Sequence, residues 1–246
     1  MERSESFAPQ ESWAKNHISV DCVVIGFDGE QLKVLLIERT GKENGQPFRD
    51  RKLPGSLIRT DEDLDQAAHR VLFELTGLKQ VRLAQFKAFG SKDRTNDPKD
   101  VRWLEETVGE KIDRIVTVAY WAMVKVARAT DKHASARGVC WVGLKEVGDL
   151  AFDHNRIIRE AMVSIRRLAT FNPSMLFDLL PRKFTAAQLR VLFERIYDKP
   201  IDPRNFHKKI ARMEYVVPLD EQQRGVTHRA ARYYRFDRQT YNRTRR

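Results

Sequence analysis

Only two cysteines, Cys22 and Cys140, occur in 246 residues. They sit in separate apolar runs, VDCVVIGF and GVCWVGL, with neither zinc-ligand spacing nor the even pattern of a disulfide framework. A disulfide-stapled scaffold and a zinc module are thereby excluded, and both thiols are expected to be buried. No run of eighteen apolar residues exists, so no membrane-spanning helix and no membrane partner are expected. Residues 1–17 lack the apolar stretch of a secretion signal and read as a flexible polar tail, which points to a cytoplasmic protein. Internal repeats and low-complexity tracts are also missing.

Charge is plentiful, and its location is informative. From Pro181 to Arg246 there are 17 Lys and Arg against 7 Asp and Glu, a net of +10, whereas residues 1–180 carry 28 against 27, or +1. A nearly neutral body is thus followed by a basic module. Charge alone does not distinguish nucleic acid from an acidic membrane or a solvated face.

In the body, Ile18–Phe27 and Leu32–Glu38 read as strands joined at Asp28-Gly29, a hairpin signal. Leu53–Ile58, Val81–Phe89, Ile115–Val126 and Trp141–Leu144 read as further strands. Helical spacing predicts a helix over Glu62–Thr76, stopped by Gly77, and another over His154–Ala169 with Ile157, Ile158, Ala161, Met162, Ile165 and Leu168 on one side and Asp153 as cap. Ser91–Lys111 is too long for a turn and reads as an ordered insertion or excursion. Interleaved strands and helices predict an α/β layer structure on a mixed sheet. Phe171–Pro181, with proline near both ends, reads as a junction between domains at 18–170 and 171–246.

The stretch GSLIRTDEDLDQAAHRVLFELTGL, Gly55 to Leu78, resembles the Nudix box, G-x5-E-x7-R-E-U-x-E-E-x-G-U with U apolar. The alignment starts the box at Ser56 and places Glu62, Arg70 and Gly77 on its Glu, Arg and closing Gly. A Nudix-type αβα sandwich is what the resemblance implies. Hydrolysis by that family needs a divalent cation held by carboxylates against a pyrophosphate. Its metal ligands are chiefly the Glu after the Arg and the adjacent Glu pair, and here those positions hold Val71, Glu74 and Leu75. Two of three are lost, so no metal, no cofactor and no catalytic residue are expected, and the degenerate box keeps Glu62, Arg70 and Glu74, the last able to pair with Arg70 at i, i+4.

In the basic module, Thr185 and Gln188 form a capping box before a helix with Leu189, Leu192, Phe193 and Ile196 on its buried stripe. Asp202-Pro203 opens a second helix, to about Tyr215, with Phe206, Ile210 and Met213 inward and Arg204, Lys208 and Arg212 outward. This spacing fits a helix-turn-helix whose second helix enters the major groove. Base contacts are assigned to Arg204 and Asn205, and backbone contacts to Lys208, Lys209 and Arg212, with His207 on the flank. A basic turn with Arg224, Arg229 and Arg232 before the strand Tyr233–Phe236 reads as a wing, and the tail NRTRR as frayed.

This module resembles the winged helix of the Nudix-related, NrtR-like bacterial regulators, through LLPRKFTAAQLRVLFERIY, DPRNFHKKIARM and YYRF. The missing box glutamates are similar to the arabinose-responsive branch. The insertion Thr95–Lys111 is longer than the usual pattern, and His207 stands where Arg is common. The resemblance implies a repressor that binds double-stranded operator DNA as a homodimer and senses a small-molecule effector, a sugar such as arabinose or a nucleotide sugar such as ADP-ribose. The alternatives are a Nudix hydrolase of a nucleoside diphosphate derivative and an RNA-binding protein, which would need exposed aromatics among its cations.

Overall fold

The computed structural model describes residues 16–126, 138–223, 225 and 230–244. The body is built on a mixed sheet in the order β3-β2-β1-β6-β5: β1 Asn16–Phe27, β2 Leu32–Glu43, β3 Gln46–Lys52, β5 Ala84–Phe89 and β6 Arg114–Lys125. Short strands β4, Gly55–Leu57, and β7, Val139–Gly143, pair with β1 and β2. Strand β1 runs parallel to β6 through twelve residues, from Asn16 opposite Arg114 to Phe27 opposite Lys125. A central strand is covered on both faces, which explains its unbroken apolar run. Val20, Cys22 and Val24 point to one face and Val23, Ile25 and Phe27 to the other, the period of two that a strand imposes.

Helix α1, Leu64–Thr76, covers the first face through Ala67, Ala68, Val71 and Leu72. It starts on a capping box between Asp63 and Gln66 and ends at Gly77, whose φ of 75° suits glycine. Helix α3, His154–Phe171, covers the second face through Ile157, Ile158, Ala161, Met162, Ile165 and Ala169. Leu168, expected inside, is exposed because the helix turns its Ala169 edge to the core. Asp153 does not cap this helix with its side chain, which instead accepts from Arg94 Nε at 2.7 Å.

Several expected boundaries are corrected. Gln46–Lys52 was not anticipated as a strand, since its polar residues hide the period. Residues 81–83 lie outside β5, and β4 is shorter than Leu53–Ile58. His17, expected in the tail, belongs to β1, while residues 1–15 of that tail lie outside the described residues. Cys22 is buried, but Cys140 is only half-buried. The Ser91–Lys111 excursion is ordered around helix α2, Pro98–Val108, with Asp97 accepting from Lys99 N and Gly109 at its end.

After α3 the chain enters a 3₁₀ segment, Pro173–Leu179, whose Leu176, Phe177 and Leu179 join the same core as the second face of the sheet. Helices α4, Ala186–Tyr197, and α5, Pro203–Ala211, follow, with a three-stranded sheet in the order β8-β10-β9: β8 Phe184–Thr185, β9 Val216–Gln222, β10 Arg232–Phe236. The second helix stops four residues short of the expected Tyr215. The tail is not frayed through Thr244: Arg238–Thr244 forms helix α6, and Tyr241 is buried with its hydroxyl donating to Asn172 Oδ1 at 3.0 Å.

Candidate nucleic-acid interface and ligand cleft

The recognition helix is held by local chemistry. Thr185 Oγ1 accepts from Gln188 N, and Gln188 Oε1 from Thr185 N. Glu194, paired with Arg190, also accepts from Ile201 N at 2.9 Å and fixes the turn between the helices. Asp202 Oδ1 accepts from Asn205 N at 2.8 Å, which with Pro203 starts α5. Phe206 and Ile210 are buried, Phe206 edge-on to Phe193 at 5.8 Å.

The opposite side of α5 is open. Arg204, Asn205, His207, Lys208, Lys209 and Arg212 are all exposed. Among the described residues, no side chain bonds to those of Arg204, Asn205, His207, Lys208 or Arg212. Lys209 differs, its ammonium lying 5.2 Å over the Phe193 ring, so part of its charge is engaged inward. Arg212 is the residue after the helix, in helical conformation. Strands β9 and β10 make the hairpin of the wing, and Arg232 is exposed where β10 leaves its loop, opposite Gln222. Arg224 and Arg229 lie outside the described residues. Tyr233 and Tyr234 are both half-buried.

In the body, the three retained box residues come together. Arg70 Nε donates to Glu62 Oε2 at 2.7 Å, its Nη2 donates to Glu62 Oε1, and its Nη1 donates to Glu74 Oε2 at 3.1 Å. Arg59 reaches Glu74 at 3.2 Å. The hydrogen bond from Arg70 is the main cause holding the Glu62 carboxyl down at about 2. Val71 is fully buried and Leu75 half-buried. A divalent cation does not fit this set: both remaining carboxylates already face an arginine, and the neighbouring positions offer hydrocarbon. Among the described residues, no group of three His, Cys, Asp or Glu side chains is placed to hold one.

Next to the box lies a narrow cleft that sequence reasoning missed, with a volume of about 80 Å³. Its floor is a buried polar cluster. Arg94 Nη2 donates to Asp21 Oδ2 at 2.9 Å, and His154 Nε2 lies 3.5 Å from Asp21 Oδ1. His154 Nδ1 accepts from Leu53 N at 2.9 Å, which places the ring proton on Nε2, toward Asp21. Burial alone would raise the Asp21 carboxyl, but His154 and Arg94 outweigh it and hold it below the usual range. Lys52 Nζ donates to Gly55 O at 2.9 Å, and burial lowers its ammonium to about 8. A Cβ on Gly55 would lie 1.9 Å from Asp21 Oδ1, so glycine is needed for β4 to approach this carboxylate.

One wall of the cleft is α2, through Trp103, Leu104 and Thr107. The insertion is fastened by Arg39, whose side chain has no exposure. Its Nη2 donates to Asp100 Oδ1 at 2.5 Å and its Nε to Asp50 Oδ1 at 2.7 Å, while the rings of Phe48, Trp103 and Phe152 surround the guanidinium at 5.1 to 5.4 Å. Asp97-Pro98 carries the same start signal as Asp202-Pro203, the signal by which the sequence could have revealed this helix.

A mixed sheet between two helices, with a box-bearing loop and helix, defines a Nudix-type body, here followed by a winged helix-turn-helix. The chain belongs to the Nudix domain family, which matches residues 15–161, and residues 176–236 match the NrtR DNA-binding winged helix domain. It is 27% identical over 229 residues to the ADPR responsive transcriptional repressor NtrR of Acinetobacter baylyi, covering 92% of this chain and 84% of that protein. Similar folds include Shewanella oneidensis NrtR with a 27mer DNA, at 24% identity and TM-score 0.65 over 92% of this chain and 95% of that one. A MutT/nudix family protein from Enterococcus faecalis is 25% identical with a TM-score of 0.59 over 96% and 95% of the two chains. No helix among the described residues is long and apolar enough to cross a membrane.

Proposed function

We propose that the chain is a ligand-responsive transcriptional repressor, in which residues 171–246 bind double-stranded operator DNA and residues 18–170 sense a small molecule without hydrolysing it. The observation that carries this is the capture of both surviving box carboxylates by Arg70, which leaves metal-assisted hydrolysis without ligands while the cleft beside it persists. The repressor function of the Acinetobacter relative and the unpaired cations of α5 support the output at DNA. Among the described residues of 181–244 no Phe, Tyr or Trp side chain is exposed, and His207 is the one exposed ring, which favours a duplex over single-stranded RNA.

The effector carries a pentose, whose hydroxyls suit the donors and acceptors of Lys52, Arg94 and Asp21. A free sugar such as arabinose follows from the box departures. ADP-ribose, which contains a ribose, follows from the relative's response to ADPR. Two chains pair through their Nudix domains and set two recognition helices about 34 Å apart on successive turns of the duplex. The effector acts by preferring one arrangement of sensor and winged helix, and DNA changes effector affinity by the same factor.

Fluorescence anisotropy with the chain's own upstream intergenic DNA, with arabinose and with ADP-ribose, tests this. Sequence-selective binding weakened by one of them is expected, without Mg²⁺-dependent cleavage of ADP-ribose to AMP and ribose 5-phosphate. Rapid Mg²⁺-dependent formation of AMP from ADP-ribose, with no preference for any duplex over random competitor, would overturn it.

A further inference from the structure

A second cavity, larger than the cleft, lies between the body and the winged helix. It is an open cavity of about 520 Å³. Its apolar wall includes Leu32, Leu144, Ile158 and Met162, and its cations are Lys145, Arg159, Arg166 and Arg195. The one acid among its lining residues, Asp198, already lies 3.6 Å from Lys145. Three cations more than anions therefore face one concave space.

Two of the arginines are pre-oriented. Arg166 of α3 donates Nε to Ile196 O of α4 at 2.7 Å, and Arg195 of α4 donates Nε to Glu30 O of the body at 2.8 Å. Each is tethered across the boundary by one nitrogen, and its two terminal nitrogens meet no acceptor among the described residues. Arg159 has no polar partner at all among them. Guanidinium groups fixed this way match the bidentate geometry of phosphate oxygens, and hydrocarbon beside them strengthens the attraction.

We propose that this cavity is a second small-molecule site, selective for a phosphate monoester whose organic portion packs on the apolar wall. A phosphate there bridges α3 to α4, so occupancy reports on the body and the recognition module together. The site is separate from the pentose cleft and holds whether or not the chain represses a gene.

Isothermal titration of the full chain with phenyl phosphate and with inorganic phosphate tests it, at matched ionic strength. Burial of the ring predicts phenyl phosphate binding roughly tenfold tighter than inorganic phosphate. Arg159→Gln, which breaks no internal bond, should abolish most of the heat, whereas Arg102→Gln removes an equal charge on α2 and should leave it. Equal affinity for both ligands points to a plain anion site and overturns selectivity for an ester. Undiminished binding by Arg159→Gln, or equal losses in both variants, overturns the site. If operator DNA displaces phenyl phosphate and Arg159→Gln also loses duplex affinity, the arginines belong to the DNA interface and the proposal fails.

Discussion

Replacing Asp100 by Ala isolates what holds the insertion over the cleft. Asp100 is 3% exposed and accepts twice, from Arg39 Nη2 at 2.5 Å and from Phe152 N at 2.6 Å. Among the described residues, its removal leaves Arg39 with Asp50 as the only carboxylate partner, alongside an Nη1 that is already buried without a partner. Breaking a buried pair costs about 3 to 5 kcal/mol, and because Asp50 still neutralises the guanidinium the lower figure, about 3 kcal/mol, applies. For a chain of this size that corresponds to roughly 6 to 12 °C in melting temperature. Urea unfolding gives the free energy and calorimetry the midpoint. The control is Lys183→Gln, which removes a pair with Glu221 whose side chains are both more than half exposed, and it should leave both readouts unchanged. A loss below about 1 kcal/mol in Asp100→Ala would mean that α2 is not fastened through Arg39, and the account of that wall would fall.

Lys52→Met sheds a burial penalty of about 3 kcal/mol at pH 7, an advantage that two lost charge-assisted hydrogen bonds of about 1.5 kcal/mol each largely cancel, so its stability there should lie close to the parent's. Folding lowers this ammonium from 10.5 to about 8, so the folded chain binds fewer protons between those values and parental stability rises with pH across that window. Lys52→Met should therefore fall below the parent by pH 10, and an unchanged pH slope refutes it. Glu62 has its folded pKa depressed from 4.5 to about 2, so its contribution is present above pH 4.5 and lost toward pH 2; Glu62→Gln should flatten the acid limb of the melting profile there. In operator titrations, Arg204→Ala should cost about 1 to 3 kcal/mol at one base position, while Lys208→Ala weakens all sequences alike and lowers the salt slope by about one. Lys209→Ala should weaken binding less than Lys208→Ala, and equal effects at every operator variant reject the assigned roles.

The winged helix was legible because its signals are local. Thr185/Gln188 and Asp202-Pro203 act within four residues, and the apolar stripe of α4 is regular. The box was legible for the same reason, as a fixed spacing along one helix. The cleft floor was not, because Asp21, Lys52, Arg94 and His154 come from four separate segments and each alone looks like an ordinary charged residue. Asp153 illustrates the difference: its position suits a cap, but Arg94, distant in sequence, takes its carboxylate. Strand β3 was hidden because its burial alternates but two of its three inward positions, Phe48, Asp50 and Lys52, are charged, so no hydrophobic alternation marks Gln46–Lys52.

Helix α3 supplies a physical link between cleft and winged helix. Its eighteen residues span roughly 27 Å. At its start His154 holds Leu53 N and faces Asp21 on the cleft floor; toward its end Arg166 holds Ile196 O of α4. The chain then passes directly into the 3₁₀ segment, where Phe177 stacks on Phe236 of the wing at 4.3 Å. His154 and the winged helix are thus joined by one continuous helix and its packed contacts. The size of any switch is limited by the effector's difference in affinity between the two arrangements. A tenfold change in operator affinity needs about 1.4 kcal/mol, comparable to one charge-assisted hydrogen bond gained in a single arrangement.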